Sequence, residues 1–290
     1  MKEQKITAPS LRRMKERGEK IAMLTAYDYT FAVLMEQAGV DVLLVGDSLG
    51  MVVQGLEDTL AVTLEEIIYH TRAVKRAARR ALVVADMPFL SYQVSPDEAV
   101  RNAGLLLKEG GADAVKLEGG VPAANAVRKM VEAGIPVMAH VGLGPQSTKQ
   151  LGGHKVQGKT RASIEKLLSD AKAVEEAGAF SLVIEAVPWP VAKRITRQAT
   201  IPTIGIGAGP YCDGQVLVYA DMLGLFTAFQ PHFVRRFAPL GEIASHAFQE
   251  YIQSVRDGSF PTQDESYPLD EAVLKELQDS YTPIRDAHSM

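Results

Sequence analysis

Unbroken apolar runs alternate along the chain with stretches whose apolar positions recur every three or four residues. The runs at 22–26, 41–46, 81–86, 114–118, 135–140, 181–186, 201–206 and 215–220 predict strands buried on both faces. The periodic stretches predict helices between them. The longest runs from Thr63 to Arg80, with Leu64, Ile67, Ile68, Val74 and Ala78 on one stripe. Another runs from Thr160 to Ala177, carried by Ile164, Leu167, Leu168, Ala171 and Val174. Ser10 reads as the N-cap of a short charged helix to Arg17, and Ser95-Pro96-Asp97-Glu98 as the start of a longer one. Gly39, Gly111, Gly134 and Gly178 each close a helix just before a strand, where glycine can take the left-handed conformation.

Strand–helix alternation implies parallel strands. Eight such units in about 250 residues predict a closed (β/α)₈ barrel, an α/β fold of the TIM type. An open doubly wound sheet is the alternative, but it would gather its functional residues at one switch point. Here polar residues end at least five strands. Leu240 to Val255 reads as the last barrel helix, 258–268 as a turn-rich linker, and Asp270 to Gln278 as a short amphipathic helix. The expected domains are a catalytic barrel over 1–260 and a C-terminal tail over 261–290.

Composition narrows the class. With 290 residues and 47% of them hydrophobic, the chain can build one large core. A single cysteine, Cys212, excludes an internal disulfide. The net charge of −4, without a long basic block, argues against nucleic acid as a partner. The stretch to Lys20 has no apolar core of a secretory signal, and no apolar run nears the ~20 residues that span a bilayer. A soluble, cytoplasmic protein without membrane partners is expected.

The strand ends carry the chemistry. They read Gly46-Asp47-Ser48, Ala85-Asp86-Met87-Pro88, Lys116-Leu117-Glu118, Ala139-His140-Val141 and Ile184-Glu185-Ala186. Taken singly, each has a structural explanation: Asp47 as a helix cap, Asp86 as a turn acid, Lys116 and Glu118 as a solvated rim pair, His140 as a core histidine. Together they place four carboxylates, a lysine and a histidine at one mouth. Such crowding calls for a neutralising cation, and oxygen donors without a cysteine cluster suit Mg²⁺. Lys116 and Glu118, two apart, share a strand face. Gly205-Ile-Gly-Ala-Gly209 reads as a close backbone approach to a ligand.

At these residues the sequence resembles the ketopantoate hydroxymethyltransferase family. The resemblance runs from about Ile6 to Phe260 and rests on six segments in order: 25–29, 45–51, 115–120, 142–147, 152–158 and 204–209. His154 stands where the family commonly has a tyrosine. The resemblance implies a barrel of the phosphoenolpyruvate/pyruvate superfamily, assembled as a homodecamer. It implies Mg²⁺ near Asp47, Asp86 and Glu118, the last directly or through water. An α-keto acid would contact Asp47, Ser48, Asp86, Lys116 and His140, with Lys116 and Glu185 catalytic and Glu185 the proton acceptor. The reaction implied moves a hydroxymethyl group from 5,10-methylenetetrahydrofolate to 3-methyl-2-oxobutanoate, a step towards pantothenate. Two other readings stand beside it. One is a Mg²⁺-dependent lyase or mutase of the isocitrate lyase and phosphonopyruvate branch, whose members carry a reactive loop cysteine. The other is a metal-dependent binding subunit without turnover.

Overall fold

The computed structural model describes residues 4–280 except His154 and Ala228, so the expectations on His154 and on 281–290 lie outside the described residues. The chain divides into two compact units, Met1–Ala238 and Pro239–Met290. In the first, eight parallel strands close into a barrel in sequence order. They are β1 (Ile21–Thr25), β2 (Val42–Val45), β3 (Leu82–Asp86), β4 (Ala114–Glu118), β5 (Val137–Gly142), β6 (Ser181–Glu185), β7 (Thr203–Ile206) and β8 (Gly214–Leu217). The helices of this unit are α1 (Ala8–Glu16), α2 (Tyr29–Gln37), α3 (Leu49–Val52), α4 (Leu64–Ala77), α5 (Pro96–Lys108), α6 (Ala124–Glu132), α7 (Thr148–Leu151), α8 (Arg161–Glu176), α9 (Trp189–Gln198) and α10 (Tyr219–Met222).

Local signals explain most boundaries. Asp28, Thr63, Ser95 and Thr160 accept the amide N–H three residues on, at the starts of α2, α4, α5 and α8. The closing glycines 39, 111, 134 and 178 all have positive φ. One cap differs from expectation. Thr7, not Ser10, begins α1, and Ser10 completes a reciprocal capping box from the first turn. The final strand also stops early: β8 ends at Leu217, and Tyr219 opens a helical turn tied to the Thr25 hydroxyl.

Two apolar layers result from the strand period of two. Leu43, Val45, Val83, Ala85, Val115, Leu117, Val137, Ala139, Leu182 and Ile184 point outward into the layer shared with the helices. Met23, Val42, Leu44, Leu82, Val84, Ala114, Met138, Val183, Ile204 and Val216 fill the barrel. Leu11 and Met14 of α1 join this inner cluster, so the charged helix of the sequence is also a plug. Following the inner face upward, Leu82 and Val84 lead to Asp86, Ala114 to Lys116 and Glu118, Met138 to His140, and Val183 to Glu185. The polar layer therefore sits on an apolar one. Each fully buried side chain of that lower layer contributes roughly 1.5–3 kcal/mol, which offsets the desolvation of the ions above.

The second unit holds α11 (Leu240–Asp257) and α12 (Glu271–Ser280). The helix read from the sequence as the last of the barrel thus belongs to this unit. Gly258 ends α11 in the left-handed region, and Phe260 folds back edge-on to Tyr251 at 5.7 Å. No helix among the described residues is long and apolar enough to cross a membrane.

Candidate active site at the mouth of the barrel

Strand register sets the neighbours. Asp86 pairs with Lys116, Glu118 with His140, and Gly142 with Glu185. Lys116 Nζ donates to both oxygens of Asp86, at 2.8 and 2.7 Å. Burial works to lower the lysine's pKa, but the carboxylates of Asp86, Glu118 and Asp47 outweigh it and hold the ammonium charged. Burial raises Asp86, with Lys116 opposing. Asp47 is pushed up to about 7 by burial and then by the Asp86 charge. Glu118 rises well above the ordinary carboxylate range, again chiefly by burial.

His140 stands between two acids. Its Nε2 lies 3.4 Å from Glu185 Oε2 and its Nδ1 3.8 Å from Glu118 Oε1. Both ring nitrogens and Glu118 Oε1 are buried without a hydrogen-bond partner. Burial, and then the Lys116 charge, hold the imidazole well below its usual pKa, so it is neutral. Unpartnered polar atoms at this depth are costly unless something polar enters the mouth to meet them.

Glu185 differs from the other acids in access. Its side chain is 16% exposed, against 5% for Glu118 and 2% for Asp86. Burial still pushes its carboxyl up to about 8. The chain turns sharply after it: Ala186 has φ 48°, a costly conformation for a residue with a Cβ, held by Ile206 O at 2.9 Å and by the Gln157 N–H at 2.9 Å. Two glycines make room here. A Cβ at Gly142 would collide with the Glu185 carbonyl, and one at Gly144 with the Glu118 carboxylate.

All six charged or ionisable residues expected from the strand ends come together. Ser48 sits at the edge, at the start of α3, with its hydroxyl 2.7 Å from that of buried Tyr27. Asp47 is bonded to the Gln146 amide at 3.0 Å. In the Gly205–Gly209 run, a Cβ at Gly207 would meet Phe233 and one at Gly209 would meet Trp189, so at these two positions glycine makes room for aromatic residues that line the same cavity.

An arrangement of high-pKa carboxylate, charged lysine and neutral histidine at a barrel mouth suits proton abstraction next to a carbonyl. Residues 5–263 match the family model described as ketopantoate hydroxymethyltransferase. The chain belongs to that family. It is therefore an enzyme, a hydroxymethyltransferase by family. The 3-methyl-2-oxobutanoate hydroxymethyltransferase of Syntrophus aciditrophicus (strain SB) is 57% identical over 266 residues, covering 92% of this chain and 98% of its own. Among solved structures, phosphonopyruvate hydrolase complexed with oxalate and Mg²⁺ superposes with a TM-score of 0.59 at 14% identity, over 94% of this chain and 95% of that one. A 2,3-dimethylmalate lyase of the PEP mutase/isocitrate lyase superfamily does so at 0.56 and 19%, over 94% and 98%. These two likenesses concern the fold.

The lyase branch is further set apart by Cys212. Its thiol is buried, accepts from Thr196 Oγ1 at 3.8 Å, and has its pKa raised by burial, so it is not a reactive thiolate. Sequence reasoning on this hydroxymethyltransferase missed Tyr27, Tyr92 and Gln146. Gln146 lies within one of the resembling segments, but an uncharged amide in a turn gives no periodic or charge signal. Tyr92 follows Asp86 by six residues in a loop and is distinguished there only by being aromatic.

Proposed function

We propose that the chain transfers a hydroxymethyl group from 5,10-methylenetetrahydrofolate to 3-methyl-2-oxobutanoate, giving 2-dehydropantoate for pantothenate synthesis, with Mg²⁺ as cofactor. The observation that carries this reading is Glu185, a carboxylate with its pKa raised to about 8 in the same mouth as the charged Lys116. Family membership supports the substrate.

The donor set suits a hard divalent ion. Three buried acids, Asp47, Asp86 and Glu118, and the more accessible Glu185 face one lysine, and Glu118 Oε1 is orphaned. Among the described residues no three His, Cys, Asp or Glu side chains are gathered as a ready metal cluster. Asp47 and Asp86 would hold the ion, with water and substrate oxygens completing it and Glu118 acting directly or through water. Each Asp86 oxygen keeps a second lone pair beside its bond to Lys116. When bound, Mg²⁺ supplies Lewis acidity towards the keto acid's oxygens.

The chain's own residues do the rest. Ser48 and the unpartnered His140 nitrogens hydrogen-bond the keto acid, as Asp47, Asp86 and Lys116 orient it. Glu185 takes the proton from C3. Lys116 stabilises the enolate oxygen as a fixed positive charge. The enolate carbon then forms a bond to the one-carbon unit that the folate supplies at the aldehyde oxidation level; one water provides the hydroxyl oxygen, and tetrahydrofolate is released. We assign the catalytic domain to 1–260, counting α11 of the second compact unit with it, and the tail to 261–290. Assembly is assigned as a homo-oligomer, a decamer by family, in the cytoplasm, without nucleic-acid or membrane partners.

Hydrogen–deuterium exchange at C3 of 3-methyl-2-oxobutanoate, followed by proton NMR without folate, tests the reading. Exchange is expected with Mg²⁺ and should nearly vanish without it; equal rates in both would refute the metal's role. Asp47→Ala should shift the Mg²⁺ midpoint upward and weaken keto acid binding in parallel. An unchanged midpoint would remove Asp47 from the metal site.

The pH profile follows from Glu185. A base must be ionised, so exchange should rise with pH and level off at an apparent pKa of about 8, or lower where Mg²⁺ adds positive charge. A flat profile from about pH 6 to about pH 9 would assign the base elsewhere. The linked stability has the opposite slope. The folded pKa lies above the ordinary 4.5, so this group's contribution is complete below about 4.5 and is lost as pH rises to about 8.

A further inference from the structure

Gln146 makes more contacts to the acidic mouth than any role given above requires. It lies on the turn after β5 and is 5% exposed. Its Nε2 donates to Asp47 Oδ2 at 3.0 Å and to the Met87 carbonyl at 2.9 Å. Its Oε1 accepts from the Tyr92 hydroxyl at 2.8 Å and from Gln93 Nε2 at 3.1 Å. Its backbone N–H donates to Glu118 Oε2 at 3.2 Å. The Tyr92 hydroxyl in turn accepts the Glu118 N–H at 3.2 Å.

Every donor and acceptor of the amide is used, which leaves a single orientation. The Met87 carbonyl can only accept, so the NH₂ group must face it. Flipping the amide would set Oε1 against that carbonyl and against Asp47. The chain thus reaches from the end of β5 across the ends of β4, β3 and β2, touching an acid at each side. Gln146 is neutral, so it arranges these acids without reducing the mouth's negative charge. A lysine or arginine in its place would hold Asp47 as well but would compete with a cation for it.

We propose that Gln146 is a positioning residue: its amide and backbone N–H together fix the orientation of Asp47 and Glu118, and this sets the affinity of the mouth for Mg²⁺. This rests on the Mg²⁺ site of the proposed function. Outer partners of metal-binding carboxylates act in this way by holding each ligand in the geometry the ion needs.

The test is calorimetric titration of the substrate-free protein with Mg²⁺. Gln146→Leu keeps much of the volume and removes both side-chain donors. It should weaken Mg²⁺ binding by roughly 10–100-fold. Tyr92→Phe removes one bond to the amide and one from Glu118 and should shift affinity in the same direction by less. At saturating Mg²⁺ the C3 exchange rate of Gln146→Leu should return to within a few-fold of the parent, while the metal midpoint stays displaced. Unchanged Mg²⁺ affinity in both variants overturns the proposal, and a lower melting temperature with unchanged affinity does so by showing a packing role alone. If Gln146→Leu does not fold, Gln146→Asn, one methylene short of Asp47, takes its place with the same expected shift. A parent protein that binds no Mg²⁺ would instead refute the metal site, and the proposal with it.

Discussion

Glu185→Gln should lower the rate of C3 exchange by roughly 10²–10⁴, the usual worth of a positioned general base. The amide keeps the size of the carboxylate but cannot take the proton. Its NH₂ can still meet His140 Nε2, 3.4 Å away in the parent, so the mouth should keep its shape. Keto acid affinity should therefore be nearly retained, and the loss should appear in the rate at saturation rather than in the half-saturating concentration. The pH-dependent rise in exchange should also disappear, because the carboxyl that burial pushes up to about 8 is gone. Exchange at the parent's rate in this variant would assign the proton to another acceptor.

Lys116→Met should be costly in two ways. It leaves Asp86, 2% exposed, without its bidentate partner. Breaking a buried pair by removing one member typically costs about 3–5 kcal/mol, because the remaining charge has nothing to balance it. Burial already raises Asp86, Asp47 and Glu118, and Lys116 opposes that rise in all three. Without it their proton affinities climb further. The sign follows: the variant should lose least stability in acid, where the orphaned carboxylates take protons, and most in alkali, where they cannot. Denaturant unfolding at several pH values checks this. Adding Asp86→Asn to Lys116→Met should recover much of the stability, as the partner charge is removed too, yet no exchange activity should return. A single variant as stable as the parent above neutral pH would contradict the pair's structural role.

Much of the barrel was readable because its signals are local. Each strand is a short apolar run, each helix a stripe, and the caps at Asp28, Thr63, Ser95 and Thr160 act on amides three residues away. The misread cap shows the limit of this. Thr7 and Ser10 are both competent, and they share one reciprocal capping box, so composition does not say which comes first. The Gly205–Gly209 run shows another limit. A glycine records that something approaches closely, and only the fold shows that Phe233 and Trp189 are among the neighbours. Likewise, the charged face of α1 was visible, whereas the burial of Leu11 and Met14 under the barrel depends on strands far along the chain.

The sequence by itself determined which residues end the strands, and the period of two determined that Lys116 and Glu118 share a face. That was enough to gather Asp47, Asp86, Lys116, Glu118, His140 and Glu185 at one mouth once the barrel closed. The tertiary structure decided who meets whom. Register sets Asp86 against Lys116 and puts His140 between Glu118 and Glu185, and register is a property of paired strands rather than of either one. The bond from Gln146 to Asp47 joins residues 99 positions apart, through an amide that carries no charge to announce it. The raised proton affinity of Glu185 likewise comes chiefly from burial, which exists only when β6 is enclosed by the rest of the barrel.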